Sequence, residues 1–226
     1  MSNISVLLVD DHNIVRQGLR ALLIAEGDIS IVAEAQTGRE AVQLAAKLHP
    51  EVVVMDLAMP LLNGWEATRQ IVKTVPSARI VVLSTYGDDD HIQQAIAAGA
   101  AAYLLKQTAA ANLVKAIREV KKGNAYFSPA IAKRLREQTC RSSTDGASMA
   151  PAEPDLTPRE AEVLQLIAEG FANKQIAAEL GLSVKTVEKH RQQVMHKLNI
   201  HDIAGFVRHA AGKGIIELAA AGVPSV

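Results

Sequence analysis

The stretch Val52–Pro60 reads VVVMDLAMP, in which four apolar residues lead directly to one carboxylate, Asp56. A continuously apolar run of this length is typical of a parallel strand that is covered on both faces. Further short apolar segments alternate with amphipathic stretches before Gly123, namely Ile4–Val9, Ser30–Ala35, Ile80–Leu83 and Ala102–Leu105. This alternation of strands and helices predicts an α/β fold with a doubly wound, five-stranded parallel sheet.

Signals for helix ends support this alternation. Thr37 and Glu40 have the spacing of a capping box, in which two side chains satisfy backbone amides at a helix N-terminus. Gly123 is expected to end the fifth helix, and a short helix is predicted from Ser128 to about Gln138. Residues 139–154 are rich in Ser, Thr, Gly and Pro without periodicity, so we expect a flexible linker there.

The remainder of the chain is predicted to be a separate, entirely helical domain. It opens with Thr157-Pro158-Arg159-Glu160, which combines an N-cap threonine, a proline at the first helical position and a glutamate at the third. Four helices are predicted, over residues 158–169, 173–180, 184–198 and 202–213. The predicted organisation is an α/β domain over 1–122, a short helix and linker over 123–154, an all-α four-helix domain over 155–215 and a tail over 216–226.

The overall composition predicts no partner, but one segment of the chain has a charge that does. The chain has 226 residues, of which 49% are apolar and 3% aromatic, so the cores must be built from Ala, Val, Leu and Ile. Lys+Arg and Asp+Glu both number 24, so the net charge predicts no partner. Acids outnumber bases over residues 155–169, however, whereas bases outnumber acids over 174–197. The second segment therefore provides a basic patch that suits phosphate groups.

Cys140 is the only cysteine, so no disulfide can form within the chain, as expected in a reducing cytosol. Its place in the Ser/Thr-rich segment favours an incidental surface thiol over a redox group. The sequence has neither an N-terminal basic-then-apolar pattern nor an apolar run of membrane-spanning length. We therefore expect a soluble, cytoplasmic protein.

The predicted sheet brings polar side chains together at one edge, where ligands bind in this architecture. In a sheet of order 2-1-3-4-5, four consecutive strands end at Asp10-Asp11, Asp56, Ser84 and Lys106. Neighbouring strands lie roughly 4.8 Å apart, so these side chains are expected to share one small patch.

This patch has the chemistry of phosphoryl transfer. Clustered carboxylates repel one another and require a proton or a cation, and oxygen ligands with open water positions suit Mg²⁺. Lys106 can hold one phosphoryl oxygen as a point charge, and Ser84 can donate a hydrogen bond to another. An aspartate beside Mg²⁺ and a lysine can attack phosphorus and carry an acyl phosphate. Asp56 is therefore predicted to be a phosphorylation site.

The segments LLVDDH, VVVMDLAMPLLNG, VVLST and YLLK resemble the receiver domain of two-component response regulators over nearly all of residues 3–122. The resemblance implies a flavodoxin-like fold. It also implies that a sensor histidine kinase donates the phosphoryl group from a phosphohistidine to Asp56. The implied Mg²⁺ ligands are Asp10, Asp11, Asp56 and the backbone carbonyl of Ala58.

The same resemblance implies that Ser84 and Lys106 contact the phosphoryl group. It also implies that Tyr103 is the aromatic residue that reorients on activation. A partly buried core tyrosine accounts for Tyr103 equally well. Two positions depart from the family pattern: Leu61 stands where a small residue or Gly is usual, and Gln107 stands where an acid is frequent after the lysine.

Residues 171–198 have the features of a helix-turn-helix. Ala177 is small enough for close helix approach, Gly181 suits a left-handed turn, and Ser183 is a natural N-cap for the second helix. Val187, Val194 and Leu198 are expected to face the core. The opposite face of the second helix carries Lys185, Glu188, Lys189, Gln192 and His196.

The second helix of such a motif enters the major groove of DNA, where Lys can read guanine, Gln adenine and Glu cytosine. The predicted DNA-contacting residues on this helix are Lys185, Thr186, Glu188, Lys189 and Gln192. Lys174 and Lys197 are expected to contact phosphates, which position the protein without reading sequence.

Residues 155–215 resemble the LuxR-type DNA-binding domain, and together with the receiver they resemble the NarL/FixJ family of response regulators. In that family the base-contacting positions correspond to Glu188, Lys189 and Gln192. The implied function is a phosphorylation-switched transcription factor that binds double-stranded DNA at two half-sites.

The last predicted helix carries an apolar stripe that we interpret as a homodimer contact. Its residues Ile203, Phe206, Val207 and Ala210 recur at helical spacing, and packing within the small domain is expected to use about half of this stripe. The remainder would align two recognition helices about one DNA turn apart. We expect a mainly monomeric, partly masked protein that dimerises on DNA when it is phosphorylated.

Three alternatives are less well supported by the sequence. An aspartyl-phosphate phosphatase or phosphotransferase of the haloacid dehalogenase type needs a second acid two residues after the nucleophile, and that position is Ala58. A dinucleotide- or flavin-binding module is disfavoured because no G-x-G-x-x-G follows the first strand. A LuxR-type sensor of small molecules would not need the acidic residues and Lys106 together.

Overall fold

The computed structural model describes residues 3–127, 131 and 156–216. The chain falls into two compact units, Met1–Glu153 and Pro154–Val226. The predicted helix from Ser128 and the predicted linker over 139–154 lie almost entirely outside the described residues.

The first unit is an α/β domain built on one parallel sheet. Its strands are β1 Ile4–Val9, β2 Ile29–Ala35, β3 Val52–Asp56, β4 Arg79–Ser84, β5 Ala102–Leu105 and β6 Tyr126–Phe127. They lie in the order β2-β1-β3-β4-β5-β6. The helices between them are α1 Asn13–Ile24, α2 Gly38–Leu48, α3 Gly64–Thr74, α4 Asp89–Ala98 and α5 Ala109–Lys121. The predicted fold and the order of the first five strands are confirmed.

The sheet has one strand more than the sequence predicted. The additional strand β6 pairs with β5, and the Tyr126 amide donates a 3.0 Å hydrogen bond to the carbonyl of Ala101. Gly123 ends α5 with a positive φ of 91° and turns the chain back toward the sheet. A two-residue strand is too short to show a periodicity, so no sequence pattern announced it.

The core consists of two apolar layers, one on each face of the sheet. In β3, Val53 and Met55 pack toward the layer that α2, α3 and α4 complete. Val52 and Val54 pack toward the layer that α1 and α5 complete. The continuously apolar run before Asp56 is therefore explained, because both faces of this strand are covered.

The second unit contains the helices α6 Pro158–Ala168, α7 Asn173–Leu180, α8 Val184–Leu198 and α9 Ile203–Gly212. The predicted capping box at α6 forms in full, with Thr157 Oγ1 accepting from the Glu160 amide and Glu160 accepting from the Thr157 amide. Gly181 takes a left-handed turn at φ 65°, and Ser183 caps α8. These are the elements predicted for a helix-turn-helix.

Two of the four residues predicted as dimer contacts on α9 are core residues instead, and they make up the half of the stripe that was expected to pack within the unit. Phe206 and Ala210 are both 0% exposed, and Ala210 packs with Ala168 and Ile216. Val207 packs against the same cluster and is only partly exposed. A four-helix unit this small has few apolar side chains to close its core, so Phe206 and Ala210 turn inward. Ile203, at 56% exposed, is the one predicted contact whose side chain points largely to solvent.

Among the residues that the structure describes, no helix is both long enough and apolar enough to cross a membrane.

Candidate functional site

The carboxyl ends of four neighbouring strands carry the predicted site residues. Asp56 ends β3 and Ser84 ends β4, while Asp10 and Lys106 directly follow β1 and β5. Pairing of Val9 with Met55, Asp56 with Leu83 and Ser84 with Leu105 places the strand ends side by side. The structure therefore brings the predicted groups to one edge of the sheet.

Lys106 joins two of the carboxylates. Its Nζ lies 2.7 Å from Oδ2 of Asp56 and 3.0 Å from Oδ2 of Asp10. Burial by itself lowers the pKa of an ammonium group, but the two carboxylates outweigh it, so the pKa of Lys106 is raised. The lysine therefore stays charged and holds the two acids close together.

Asp56 is 2% exposed, and its Oδ1 accepts a 2.8 Å hydrogen bond from the Leu57 amide. Burial raises the pKa of this carboxyl from 3.8 to about 7, with Asp10 contributing in the same direction and Lys106 opposing it. A single lysine thus compensates only part of the negative charge that this edge gathers.

The acidic cluster has the donor set of a cation site. Ligand atoms of Asp10, Asp11, His12 and Asp56 all lie within 4.8 Å of one another. Oδ2 of Asp10, a residue 2% exposed, is in ion-pair range of Lys106 but accepts no hydrogen bond of good geometry. A buried carboxylate oxygen that accepts no hydrogen bond of good geometry fits a small divalent cation with oxygen ligands. Ala58, predicted as a backbone ligand, is buried in the loop that follows β3.

The sequence pattern does not indicate two further residues at this edge, His12 and Gly64. His12 directly follows the acidic pair. Gly64 lies close to Asp56, and its amide donates a 2.8 Å hydrogen bond to the Leu57 carbonyl. A Cβ atom at Gly64 would overlap the carbonyl oxygen of Asp56 and lie 2.8 Å from the Leu57 Cα. No local signal distinguishes this glycine from any other residue after an N-cap.

Substituting Gly64 by Ala is expected to lower the free energy of unfolding by about 1–3 kcal/mol, because the added methyl group must displace the backbone that carries Asp56. Urea unfolding followed by circular dichroism measures this change. Gly18→Ala is the matched control, since Gly18 is exposed within α1 and a Cβ there meets nothing within 4 Å. The control should be stabilised by about 0.5–1 kcal/mol. Equal effects of the two substitutions would contradict the close approach at Gly64.

Ser84 and Tyr103 are connected through one residue, Tyr86. Ser84 Oγ accepts a 3.0 Å hydrogen bond from the Tyr86 amide, and the Tyr103 hydroxyl donates a 2.7 Å hydrogen bond to the Tyr86 carbonyl. Tyr103 is 0% exposed, and burial raises the pKa of its hydroxyl to about 12. Tyr103 is therefore a core residue here, and it is tied to the same loop as Ser84.

The two departures from the receiver pattern differ in consequence. Leu61 has a left-handed backbone at φ 67°, a conformation that costs a residue with a side chain roughly 1–2 kcal/mol. The usual preference for Gly at this position thus has a physical reason. Gln107 is exposed in the single 3₁₀ turn between β5 and α5, outside the acidic cluster.

The predicted recognition surface lies on α8 of the second unit. Val187 and Val194 are buried at 0% exposed, while Leu198 is half-buried. The opposite face is exposed and carries Lys185, Glu188, Lys189, Gln192 and His196. Lys174 is likewise exposed, at the start of α7. The Thr186 hydroxyl is 2.8 Å from that of Ser183, and Thr186 is half-buried.

Lys197 has a partner other than the phosphate that was predicted for it. Its Nζ lies 2.7 Å from Oε2 of Glu160, which is 3% exposed. Burial raises the pKa of the Glu160 carboxyl, but Lys197 and the Thr157 amide outweigh burial, and the net pKa is lowered. Lys197 thus compensates a buried charge inside its own unit. The sequence alone does not reveal this ion pair, because Glu160 and Lys197 lie far apart along the chain.

Two family models match the chain. Residues 6–118 match the response regulator receiver domain, and residues 154–210 match the luxR family of bacterial regulatory proteins. The chain is therefore a response regulator, the class defined by a receiver domain joined to an output domain.

Relatives give the family within that class. The transcriptional regulatory protein LiaR of Bacillus subtilis is 43% identical over 88% of this chain and 92% of its own length. The response regulator protein VraR of Staphylococcus aureus is 34% identical over 95% of this chain and 99% of its own length. The chain belongs to the LuxR-type, or NarL/FixJ, family of two-component response regulators.

Solved structures agree with this assignment. The response regulator RcsB of Salmonella typhimurium has a TM-score of 0.62 and 28% identity, with 94% of this chain and 99% of the other covered. A structure of the RcsB–DNA complex has a TM-score of 0.57 and 26% identity, with coverages of 93% and 98%.

Proposed function

We propose that this protein is a transcriptional regulator whose Asp56 accepts a phosphoryl group from a sensor histidine kinase with the help of Mg²⁺. The observation that carries this proposal is the ion-paired arrangement at the sheet edge, where Lys106 Nζ lies within 3.0 Å of oxygens of both Asp10 and Asp56. A lysine placed in this way can transfer one of its contacts to an incoming phosphoryl oxygen without moving far.

The proposed reaction is an in-line transfer to a carboxylate. An oxygen of Asp56 attacks phosphorus, the bond between phosphorus and the phosphohistidine nitrogen breaks, and the nitrogen keeps the electron pair. Lys106 then pairs with a phosphoryl oxygen, and the Ser84 hydroxyl donates to another. Bound Mg²⁺ would neutralise the phosphoryl charge, with ligands from Asp10, Asp11, Asp56 and the Ala58 carbonyl.

The connection of Ser84 and Tyr103 through Tyr86 supports a route from phosphate to the surface. If Ser84 turns toward the phosphoryl group, the Tyr86 amide loses its 3.0 Å acceptor. The Tyr86 carbonyl, which accepts from the Tyr103 hydroxyl, would then shift with the loop. A bias of a few kcal/mol between two loop positions suffices for a switch.

The second unit is proposed to bind duplex DNA through the exposed face of α8. Lys185, Glu188, Lys189 and Gln192 are proposed to meet base edges, and Lys174 to meet a phosphate. Solved relatives include two RcsB dimers bound to two parallel DNAs, which supports a dimer on two half-sites here. Since Phe206 and Ala210 are buried, Ile203 and the partly exposed Val207 remain as the proposed dimer contacts on α9.

A beryllofluoride complex of the full chain is expected to bind its selected DNA site about 5- to 150-fold more tightly than the untreated protein. Sites would first be selected from a random pool of duplexes, and affinity would be measured by fluorescence anisotropy at fixed salt. Lys189→Ala should change the preferred bases, whereas Lys73→Ala, at the end of α3, should change neither affinity nor preference. An unaltered base preference in the Lys189 variant would show that this residue does not contact the bases. If beryllofluoride has no effect on DNA affinity, the proposed phosphorylation switch is wrong.

A further inference from the structure

His12 lies at the acidic cluster, and its side chain does not cap its own helix. It is the N-cap residue of α1, yet its side chain makes no capping hydrogen bond. Its backbone amide donates a 2.8 Å hydrogen bond to Oδ1 of Asp10, which fixes the residue beside the cluster. The imidazole Nδ1 is 2.7 Å from Oδ1 of Asp11 and 3.6 Å from Oδ1 of Asp10.

The contact between His12 and Asp11 does not have the form of a hydrogen bond. The two atoms are 2.7 Å apart, but Oδ1 of Asp11 is buried and has no hydrogen-bond partner of good geometry. Adjacent ligands on an octahedral ion with bonds of about 2.1 Å lie about 3 Å apart, and opposite ligands about 4.2 Å. The four donor atoms all lie within 4.8 Å of one another, so movements of less than about 1 Å would bring them within the span of one ion.

We infer that the His12 imidazole is a further protein ligand of the metal site and makes it selective for ions that accept nitrogen. The inference rests on the metal site of the proposed function. Carboxylate and water oxygens alone favour Mg²⁺. An added imidazole favours first-row transition ions instead, with an affinity that rises from Mn²⁺ through Co²⁺ to Ni²⁺. The site would therefore bind both Mg²⁺ and these transition ions, and the His12 side chain would set the preference between them.

Two matched substitutions separate this role from a structural one. His12→Asn replaces the nitrogen donor by an amide oxygen, and it supplies a good N-cap residue, so the start of α1 is preserved. His49→Asn is the control, since His49 is exposed at the C-cap of α2 with φ 46°, a conformation that Asn tolerates. Both changes remove one imidazole from the first unit.

Pulsed electron paramagnetic resonance of the Mn²⁺-loaded full chain provides the direct readout. The echo modulation of a directly bound ¹⁴N nucleus should be present in the native protein and in His49→Asn, and absent in His12→Asn. By calorimetry, His12→Asn should lower Co²⁺ affinity about tenfold or more and change Mg²⁺ affinity by less than about twofold.

The outcomes distinguish this inference from the proposed metal site. If Mn²⁺ binds and Asp11→Asn weakens it, but no bound nitrogen appears or the signal persists in His12→Asn, then His12 is only an ion-pair partner of Asp11. The proposed site would stand and the inference would be overturned. If Asp11→Asn leaves Mn²⁺ affinity unchanged, then no ion binds at this cluster and both are wrong.

Discussion

Asp56→Asn is expected to abolish the uptake of a stable phosphoryl group from acetyl phosphate in the presence of Mg²⁺. The amide is a poor nucleophile, and it replaces the carboxylate that Lys106 and the cluster hold at the end of β3. The backbone geometry should be retained, because the amide oxygen of Asn can still accept from the Leu57 amide, as Oδ1 of Asp56 does at 2.8 Å. Intact-protein mass spectrometry after a fixed incubation measures the uptake directly.

Asp90→Asn is the control for this experiment. Asp90 is exposed in the first turn of α4 and is not a member of the acidic cluster. The control should take up one phosphoryl group per chain at the native rate. A stable phosphoryl group on the Asp56 variant, formed at the same rate as on the control, would show that the site has been placed on the wrong residue.

The same substitution should make the metal-free protein more stable at neutral pH, by about 2–4 kcal/mol. Burial raises the pKa of Asp56 from 3.8 to about 7, so the ionised carboxylate is less favourable in the folded chain than in the unfolded chain. A difference of about three pKa units corresponds to an upper limit of about 4 kcal/mol. Some of this gain is lost, because Lys106 keeps only Asp10 as its partner in the variant.

The sign of the pH dependence follows from the raised pKa. Below the unfolded value of 3.8 the carboxyl is protonated in both states and contributes no difference. As the pH rises from there to about 7, the unfolded chain releases its proton first, so the native protein loses stability relative to the variant. The advantage of Asp56→Asn should therefore grow across this interval and then level off.

Urea unfolding in a chelating buffer at several pH values between 4.5 and 8 would measure this advantage. Asp90→Asn again serves as the control and should show no such growth with pH. Addition of Mg²⁺ should reduce the advantage, because a ligand of the native state stabilises that state by mass action. An advantage that is constant with pH would mean that the pKa of Asp56 is not raised in the folded chain and that its carboxylate is well compensated there.

Both predictions concern a site whose composition could be derived from the sequence. Four neighbouring strands end at, or directly before, a residue of the right type, and parallel strands place their carboxyl ends on one edge. The period of apolar residues located the strands to within a residue or so, and the helix caps located the four helices of the second unit equally well. Local rules suffice for these features because period, capping and turn preferences act over only a few residues.

Only the tertiary structure decided which side chains contact their own unit and which are left for a partner. Phe206 and Ala210 have the spacing of an outward dimer stripe, but the small second unit needs them to complete its core. Lys197 has the charge of a phosphate contact, but a buried Glu160 lies 2.7 Å from its ammonium group. In both cases the pattern along the helix is compatible with either use, and the neighbour that decides comes from a distant part of the sequence.

The sequence by itself determined the identity of the phosphoacceptor candidate, the two-unit organisation and the helix-turn-helix. The tertiary structure decided the close approach of Gly64 to the backbone of Asp56, the raised pKa of that carboxyl and the position of His12 beside Asp11. The physical reason is the range of the forces involved. Propensity and periodicity are set by neighbours along the chain, whereas desolvation, charge pairing and steric fit depend on distances that exist only after the strands have assembled.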